Sequence, residues 1–361
     1  MTITKVTDAG LDRSRIITPI IINGDMSVAQ RGTSATGKTG DGYYTIDRYQ
    51  FAISSLGTWT FTQSTTVPTG QGFGYSQKAD CTTADGSPSA GDRIFYRQSI
   101  EGQNLQLLKK GTSSAEKFTI SFWVRSNKTG TYILELYDHD NSRHINKSYS
   151  ISSADTWEKK IIVIDADTTG AFTNDNNLSL HLAWWLGAGS TYTSGTLQTS
   201  WGSQTNANRA VGQVNLADST DNEWYITGVQ LEIGEFDTNT IPSFPFESFE
   251  NNLKKCMRYY FNHYTPDDNG LYGLFTAHTS SAGRMPYRFI VPMRDAPTVS
   301  SSTASGFTWL GNNTSGNPSA IGSESLNKYS CTVNITGSFT QGYSYWLSGS
   351  TSTQLNFDAE L

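Results

Sequence analysis

A chain of 361 residues exceeds what one hydrophobic core usually organises, so two globular units are expected. Only 16% of residues are charged, the net charge is −6 and basic residues cluster no further than pairs, which excludes binding driven by phosphate neutralisation. With 18 Tyr, 17 Phe and 9 Trp among abundant Gly, Ser, Thr and Asn, the composition is that of a turn-rich β-protein rather than a disordered chain.

Residues 1–15 are polar and aperiodic and read as a lead segment. Met1-Thr-Ile-Thr-Lys-Val lacks the basic-then-apolar order of a secretory signal, and no apolar run approaches the roughly 18–20 residues of a membrane span. Synthesis and folding in a cytoplasm, without membrane insertion, are expected. Ile16–Asn23 reads as a buried strand broken by Pro19, followed by a Gly/Thr/Ser-rich loop at Thr33–Gly42.

Strands are expected at Gln50–Ser54, Gly57–Gln63, Gly74–Ala79, Arg93–Glu101, Glu116–Ser126, Gly130–Asp138, Lys147–Ile151, Trp157–Asp165, Leu178–Leu186 and Trp224–Gly234. Alternation puts Phe118, Ile120, Phe122 and Val124 on one face, and Leu178, Leu180, Leu182, Trp184 and Leu186 on an inward stripe with His181 and Trp185 opposite. In Trp224–Gly234 it separates Tyr225, Thr227, Val229, Leu231 and Ile233 from Trp224, Ile226, Gln230 and Glu232. Short strands with tight turns and no helical period indicate an antiparallel sandwich.

Pro242 and Pro245 end that pattern. A helix is expected from Glu247 to about Phe261, with Phe249, Leu253, Cys256 and Tyr260 on one stripe, acidic residues in its first turns and basic ones in its last. About four turns are marginal alone, so the stripe either docks on its own domain or meets symmetry mates. Strands then recur at Leu271–Ala277, Arg284–Val291, Gly306–Leu310, Tyr329–Ile335 and Gly342–Leu347. The expected fold is all-β: a sandwich over 16–240, a Pro linker and bridge helix over 241–261, and a smaller β-sandwich over 262–361.

Glycan cleavage needs two carboxylates flanking the scissile bond. Glu135 and Asp138 point to opposite faces of a strand, while Asp140, Asp165 and Asp167 read as turn or surface carboxylates. Asp165, Asp167, Asp175 and the Asn174–Asn177 run offer oxygen ligands for a structural calcium, or form an Asx-rich turn that bonds to itself. Cys81, Cys256 and Cys331 form no C-x-x-C pair, and the five histidines show no zinc spacing. No catalytic residue, metal ligand set or cofactor site is assigned beyond that calcium loop. Sugars present apolar C–H faces ringed by hydroxyls, which suits exposed aromatic planes beside amides and hydroxyls. Trp123, Trp185, Tyr192 and Trp201, on outward faces or in Gly/Ser/Thr/Asn-rich loops, are candidates for glycan contact or for subunit contact.

Several segments resemble, in order, those of phage and prophage tail-fibre-like virion proteins. They are Ile22-Asn-Gly-Asp-Met-Ser-Val-Ala-Gln-Arg-Gly32, Tyr44-Thr-Ile-Asp-Arg-Tyr49, Gln98–Gly102, Ile120–Ser126, Thr156–Lys160, Ile164–Gly170, Ile226–Gly234, Cys256-Met-Arg-Tyr-Tyr260, Val291–Thr298 and Phe357–Leu361. The resemblance spans about residues 16–300. It implies a jelly-roll domain similar to galactose-binding-like carbohydrate modules, on a homotrimeric tail fibre or related virion appendage. Attachment to other tail or head proteins through the N-terminal region is then expected, with a host surface glycan as receptor. The stripe of Phe249, Leu253, Cys256 and Tyr260 is the matching candidate trimer contact. A purely structural tail adaptor or head decoration protein, and a glycan depolymerase, are the alternatives.

Overall fold

Phe118, Ile120, Phe122 and Val124 from one strand and Leu180, Leu182, Trp184 and Leu186 from another meet in a single core. The computed structural model that shows this describes residues 19–264 and 270–361. The lead segment 1–15 and its proposed attachment role lie outside the described residues.

The core is held between two six-stranded antiparallel sheets. The first runs, in spatial order, β1 (Ser34–Lys38), β3 (Thr58–Ser64), β4 (Ser76–Thr83), β12 (Glu223–Ile233), β6 (Phe118–Ser126) and β9 (Glu158–Ile164). The second runs β11 (Gly202–Ser203), β8 (Arg143–Ile151), β7 (Gly130–Asp138), β10 (Leu178–Ala188), β5 (Arg93–Glu101) and β2 (Tyr49–Ser54). A single turn of helix, α1 (Ser190–Thr193), follows β10.

Two expectations for this unit are corrected. Pairing of β12 with β6 slips between Thr227 and Gln230, where Gly228 adopts φ +64°. The extra residue reverses the strand's phase, so Trp224 and Ile226 before it, and Val229 and Leu231 after it, all enter the core. The amide of Val229, freed from the ladder, donates to the carbonyl of Gly24 at 2.9 Å. Secondly, the described part of Ile16–Asn23 is not a strand. Ile20 and Ile21 are buried, and the backbone N–H and C=O of Ile22 are satisfied by the side-chain amide of Gln98 at 3.1 and 2.8 Å. One amide side chain takes the place of a neighbouring strand.

The linking helix α2 covers only Phe249–Met257, with Ser248 as its N-cap. Tyr260 lies beyond it, buried in β13 (Tyr260–Tyr264), and its hydroxyl donates to Asn356 at 2.9 Å. Cys256 is fully buried against the body of the protein. The four-residue stripe therefore does not face outward as a unit. Phe249, 58% exposed, and Leu253 stay at the surface, where with Met257 they line a groove of about 390 Å³ shared with Val28, Ala29 and Tyr264.

The second unit pairs β13, β22 (Gln354–Asp358) and β16 (Thr298–Ser301) in one sheet. Its larger sheet has seven strands, in the order β18 (Thr314–Gly316), β17 (Phe307–Gly311), β21 (Ser344–Gly349), β14 (Gly270–Ala277), β15 (Ala282–Arg288), β20 (Ser330–Thr336) and β19 (Ala320–Glu324). Phe275, Trp309, Tyr345, Leu347 and Phe357 fill a separate core.

Ion pairs join the two units. The buried carboxylate of Glu101 accepts from Arg258 Nε and Nη2 at 2.9 and 2.8 Å and from the Tyr259 hydroxyl at 2.5 Å. Buried Arg48 donates to Glu360 and lies 3.3 Å from the centroid of the Tyr259 ring. Arg31 bonds Asp358 at 3.1 Å and Glu360 at 3.4 Å, over the Tyr260 ring. Asn23 and Asn252 exchange bonds, and Arg294 ties Asn176 to the carbonyl of Ala359. Six of the segments carrying the phage-protein resemblance thus place a residue at this joint: Asn23 and Arg31, Arg48, Glu101, Arg258, Arg294, and Glu360. Those motifs report how the units are fastened.

Candidate functional site

The four aromatic candidates occupy three separate places. Trp123 is half-buried on the outer face of the first sheet, beside Gly228 and Phe73. Trp201 is half-buried, its Nε1 donating to the carbonyl of Asp165 at 2.8 Å, with the Lys110 ammonium 5.3 Å from its ring centroid. Trp185 and Tyr192 lie together on the outer face of the second sheet, ring centroids 5.3 Å apart. Both are buried.

Trp185 does face away from the main core, as alternation requires, but the chain returns to cover it. The segment from Gly189 to Ala210 is pinned by bonds from Asn146 N to Gln198 O (2.7 Å), Gly195 N to Ala207 O (2.9 Å) and Ala210 N to Tyr192 O (2.8 Å). Phe95, Ile133, Ala183 and Ala210 complete a small second core under it. As placed, neither Trp185 nor Tyr192 offers a ring plane to a sugar, and that expectation is corrected.

The register of the second sheet divides its outer face into rows. Ala52, Phe95 and Trp185 are cross-strand neighbours in the apolar, covered row. The next row is Gln50, Arg97, Ala183, Glu135 and Asn146. The third is Ser99, His181, Tyr137 and His144. His139 follows at the end of β7, its ring centroid 4.3 Å from that of Tyr137. Polarity therefore rises across the face, where Ser99, His181, His144, Glu135 and Asn146 are buried while Gln50, Arg97, Tyr137 and His139 remain partly accessible.

These groups are ordered by one another. Arg97 Nε and Nη2 donate to Gln50 Oε1 at 2.8 and 2.5 Å, and its Nη1 lies 3.3 Å from His181 Nδ1. His139 Nε2 is 2.8 Å from the same Nδ1. Burial, followed by the Arg97 charge, pushes His139 down to about 4 and His181 well below its ordinary value. Both rings are neutral at physiological pH. With a guanidinium donating to Nδ1, the His181 proton is assigned to Nε2, which is buried without a partner.

The acidic candidates Glu135, Asp138, Asp167 and Asp175 are tied up. Burial tends to raise Glu135, but Arg209 (2.7 and 2.9 Å) and His144 overcome it and hold the acid below its usual range. Trp185 Nε1 donates to the same carboxylate at 2.9 Å. Asp138 pairs with Lys110 at 2.5 Å, and Asp167 with Arg143 at 2.8 Å. Asp175 accepts from the backbone of Asn177 and the hydroxyl of Thr173, a self-bonded Asx turn. Among the described residues, no group of three or more His, Cys, Asp or Glu is placed to hold a metal ion, the calcium-loop residues included. All three cysteines are buried and free.

The arrangement offers planar rings beside a guanidinium and an amide, and the buried carboxylate nearest them, Glu135, is held by Arg209. That suits a hydroxyl-rich ligand held by stacking and hydrogen bonds. Gln50, Arg97, Tyr137 and His139 were not singled out in the sequence, although Tyr137 and His139, two apart at the end of a strand, carried the signal of a shared outward face.

No protein-family model matches the chain, and no curated protein matches it. Among solved structures, the enzymatically active domain of tailspike protein 4 from bacteriophage CBA120 is similar over 60% of this chain, at 13% identity and a TM-score of 0.31. The match spans 21% of the tailspike chain. The family 11 carbohydrate-binding module of a Clostridium thermocellum cellulosomal cellulase is similar over 56% of this chain and 98% of its own, at 10% identity and a TM-score of 0.28. A botulinum neurotoxin type C structure, whose cell entry depends on two ganglioside molecules, covers 91% of this chain and 98% of its own at 12% identity and a TM-score of 0.24.

Proposed function

We propose that this chain is a virion appendage protein of a phage or prophage that recognises host-surface glycans without cleaving them. The observation that carries the reading is the uncovered part of the second sheet's outer face, where Gln50, Arg97, Tyr137 and His139 form an ordered, partly accessible polar and aromatic surface. The cation-bound state of Glu135, Asp138 and Asp167 supports binding rather than hydrolysis, since a general acid and its partner carboxylate must be free to exchange protons. A shallow surface of this kind binds weakly, and several copies on one particle multiply the affinity. The homotrimer belongs to this proposal. Phe249 and Leu253 are its remaining candidate contacts, because Cys256 and Tyr260 are buried within the chain.

The test is binding of labelled full-length protein to bacterial cells and to their purified surface polysaccharides. Selective binding that free polysaccharide abolishes, and that Tyr137→Ala with Gln50→Ala weakens at least tenfold, is the expected result. Absence of binding across the polysaccharide panel at saturating protein overturns the reading. Light scattering with a mass near one chain removes the trimer.

A further inference from the structure

We propose a second saccharide platform, on the outer face of the seven-stranded sheet and centred on Trp346, that takes a neutral glycan. The inference rests on the glycan-recognition reading above and extends it to the second unit.

Strands β17, β21 and β14 are adjacent and antiparallel, and their inward residues Trp309, Tyr345, Leu347 and Phe275 belong to the core. The alternate residues therefore share the opposite face. Leu310 pairs with Trp346, and Trp346 with Leu274, so an indole lies between two leucines in one straight row. All three are 41–49% exposed, and Leu271, one row away, is 55% exposed. The row on one side carries the exposed hydroxyls of Ser344 and Thr276. The row on the other carries the half-buried Thr308 and the exposed Leu271 on either side of Ser348, which is buried and donates to the Thr308 carbonyl at 3.2 Å. The Ser344 and Thr276 hydroxyls are 3.3 Å apart.

Three properties point to a sugar. First, none of the residues in these three strands is charged, so the surface matches a neutral, hydroxylated ligand. Second, three strands span roughly 10 Å across the sheet, about the length of two linked pyranoses. An apolar centre bordered by hydroxyls is the complement of a pyranose, whose C–H face lies inside a ring of hydroxyls. Third, the area is too small for a lasting protein contact. At roughly 200 Å² per fully exposed large side chain, the four side chains present on the order of 400 Å². A stable protein interface needs about 800 Å² from each partner. A patch of this size is nonetheless at the upper end of what a monomer exposes without use.

The experiment titrates full-length protein with neutral hexasaccharides of glucose, galactose and mannose, following calorimetry and acrylamide quenching of tryptophan. Wild type, Trp346→Ala, Trp346→Phe and Tyr137→Ala are compared. The expected result is binding of at least one hexasaccharide with protection of a tryptophan from quencher. Trp346→Ala should weaken it at least tenfold and Trp346→Phe less than Trp346→Ala, with Tyr137→Ala retaining the quenching protection. Unchanged binding in Trp346→Ala overturns the platform. So does a wild type that binds host polysaccharide through Tyr137 but no hexasaccharide, which leaves the glycan reading standing. A wild type that binds neither ends both. Loss of self-association in Trp346→Ala, without any change in sugar binding, assigns the face to a second copy and overturns the platform.

Discussion

Replacing Glu101 by Ala should destabilise the folded protein by about 3 kcal/mol, because removing one partner of a buried ion pair costs roughly 3–5 kcal/mol. Glu101 is fully buried and accepts from Arg258, the Tyr259 hydroxyl and Gln103. Arg258 keeps 31% side-chain exposure and can turn its guanidinium to water, which places the cost at the low end. The Tyr259 hydroxyl is buried and has no such escape. Burial acts to raise the Glu101 pKa, but the Arg258 and Tyr259 hydrogen bonds outweigh it and hold the carboxyl below its ordinary value. The folded state then binds this proton less readily than the unfolded chain does. Its stabilisation is complete above the ordinary carboxylate range and is lost as pH falls through the lowered value, so Glu101→Ala should also flatten the acid limb of stability. Urea unfolding at neutral and acidic pH measures both effects. Because the pair spans the two units, a split of one transition into two is a further expected sign. A loss below about 0.5 kcal/mol with unchanged slope would refute the assignment of the joint to this carboxylate.

Gly228→Ala should cost about 1–3 kcal/mol in thermal or urea unfolding, since φ there is +64° and a Cβ would meet Phe73 at 2.6 Å. Trp185→Ala should cost about 3–5 kcal/mol and reduce glycan binding only in proportion to unfolding; a stable variant that no longer binds would return Trp185 to the binding surface. His139 should stay neutral until about pH 4 in an NMR titration. Its folded pKa lies below its unfolded one, so the unfolded chain takes up the proton first and stability falls between about pH 6.5 and 4. His139→Gln should shallow that decline, and a steeper one would contradict the burial described.

Strands with uninterrupted alternation were legible, and the bounds of β5 and β7 coincide with the expected Arg93–Glu101 and Gly130–Asp138. Where the alternation is broken, the reading failed for identifiable reasons. Gly228 hides a phase reversal that periodicity alone cannot register. The expected helix runs four residues too far, because Tyr260 to Tyr264 are aromatic-rich and take strand conformation once a sheet edge is there to receive them. Short strands such as β18 (Thr-Ser-Gly) and β19 (Ala-Ile-Gly-Ser-Glu) have too few apolar residues to announce a face. The burial of Trp185 depends on a covering segment whose Gly/Ser/Thr/Asn composition reads locally as exposed loop. The convergence of the phage-like motifs could not be seen, because the contacts they make at the joint bridge 65 to 329 positions of sequence.

The ion pair between Arg48 and Glu360 closes a gap of 312 residues, which sets an order of events during synthesis. At roughly 5–20 residues per second, Arg48 leaves the ribosome on the order of 15–60 s before its partner. The jelly roll has time to fold, yet a guanidinium that ends fully buried must wait in a hydrated pocket. Residues 358–360 then bring in the carboxylates for Arg31 and Arg48 together. Until then the units are held through Glu101 with Arg258 and Tyr259, so the joint closes in two stages, the later one on Arg31 and Arg48.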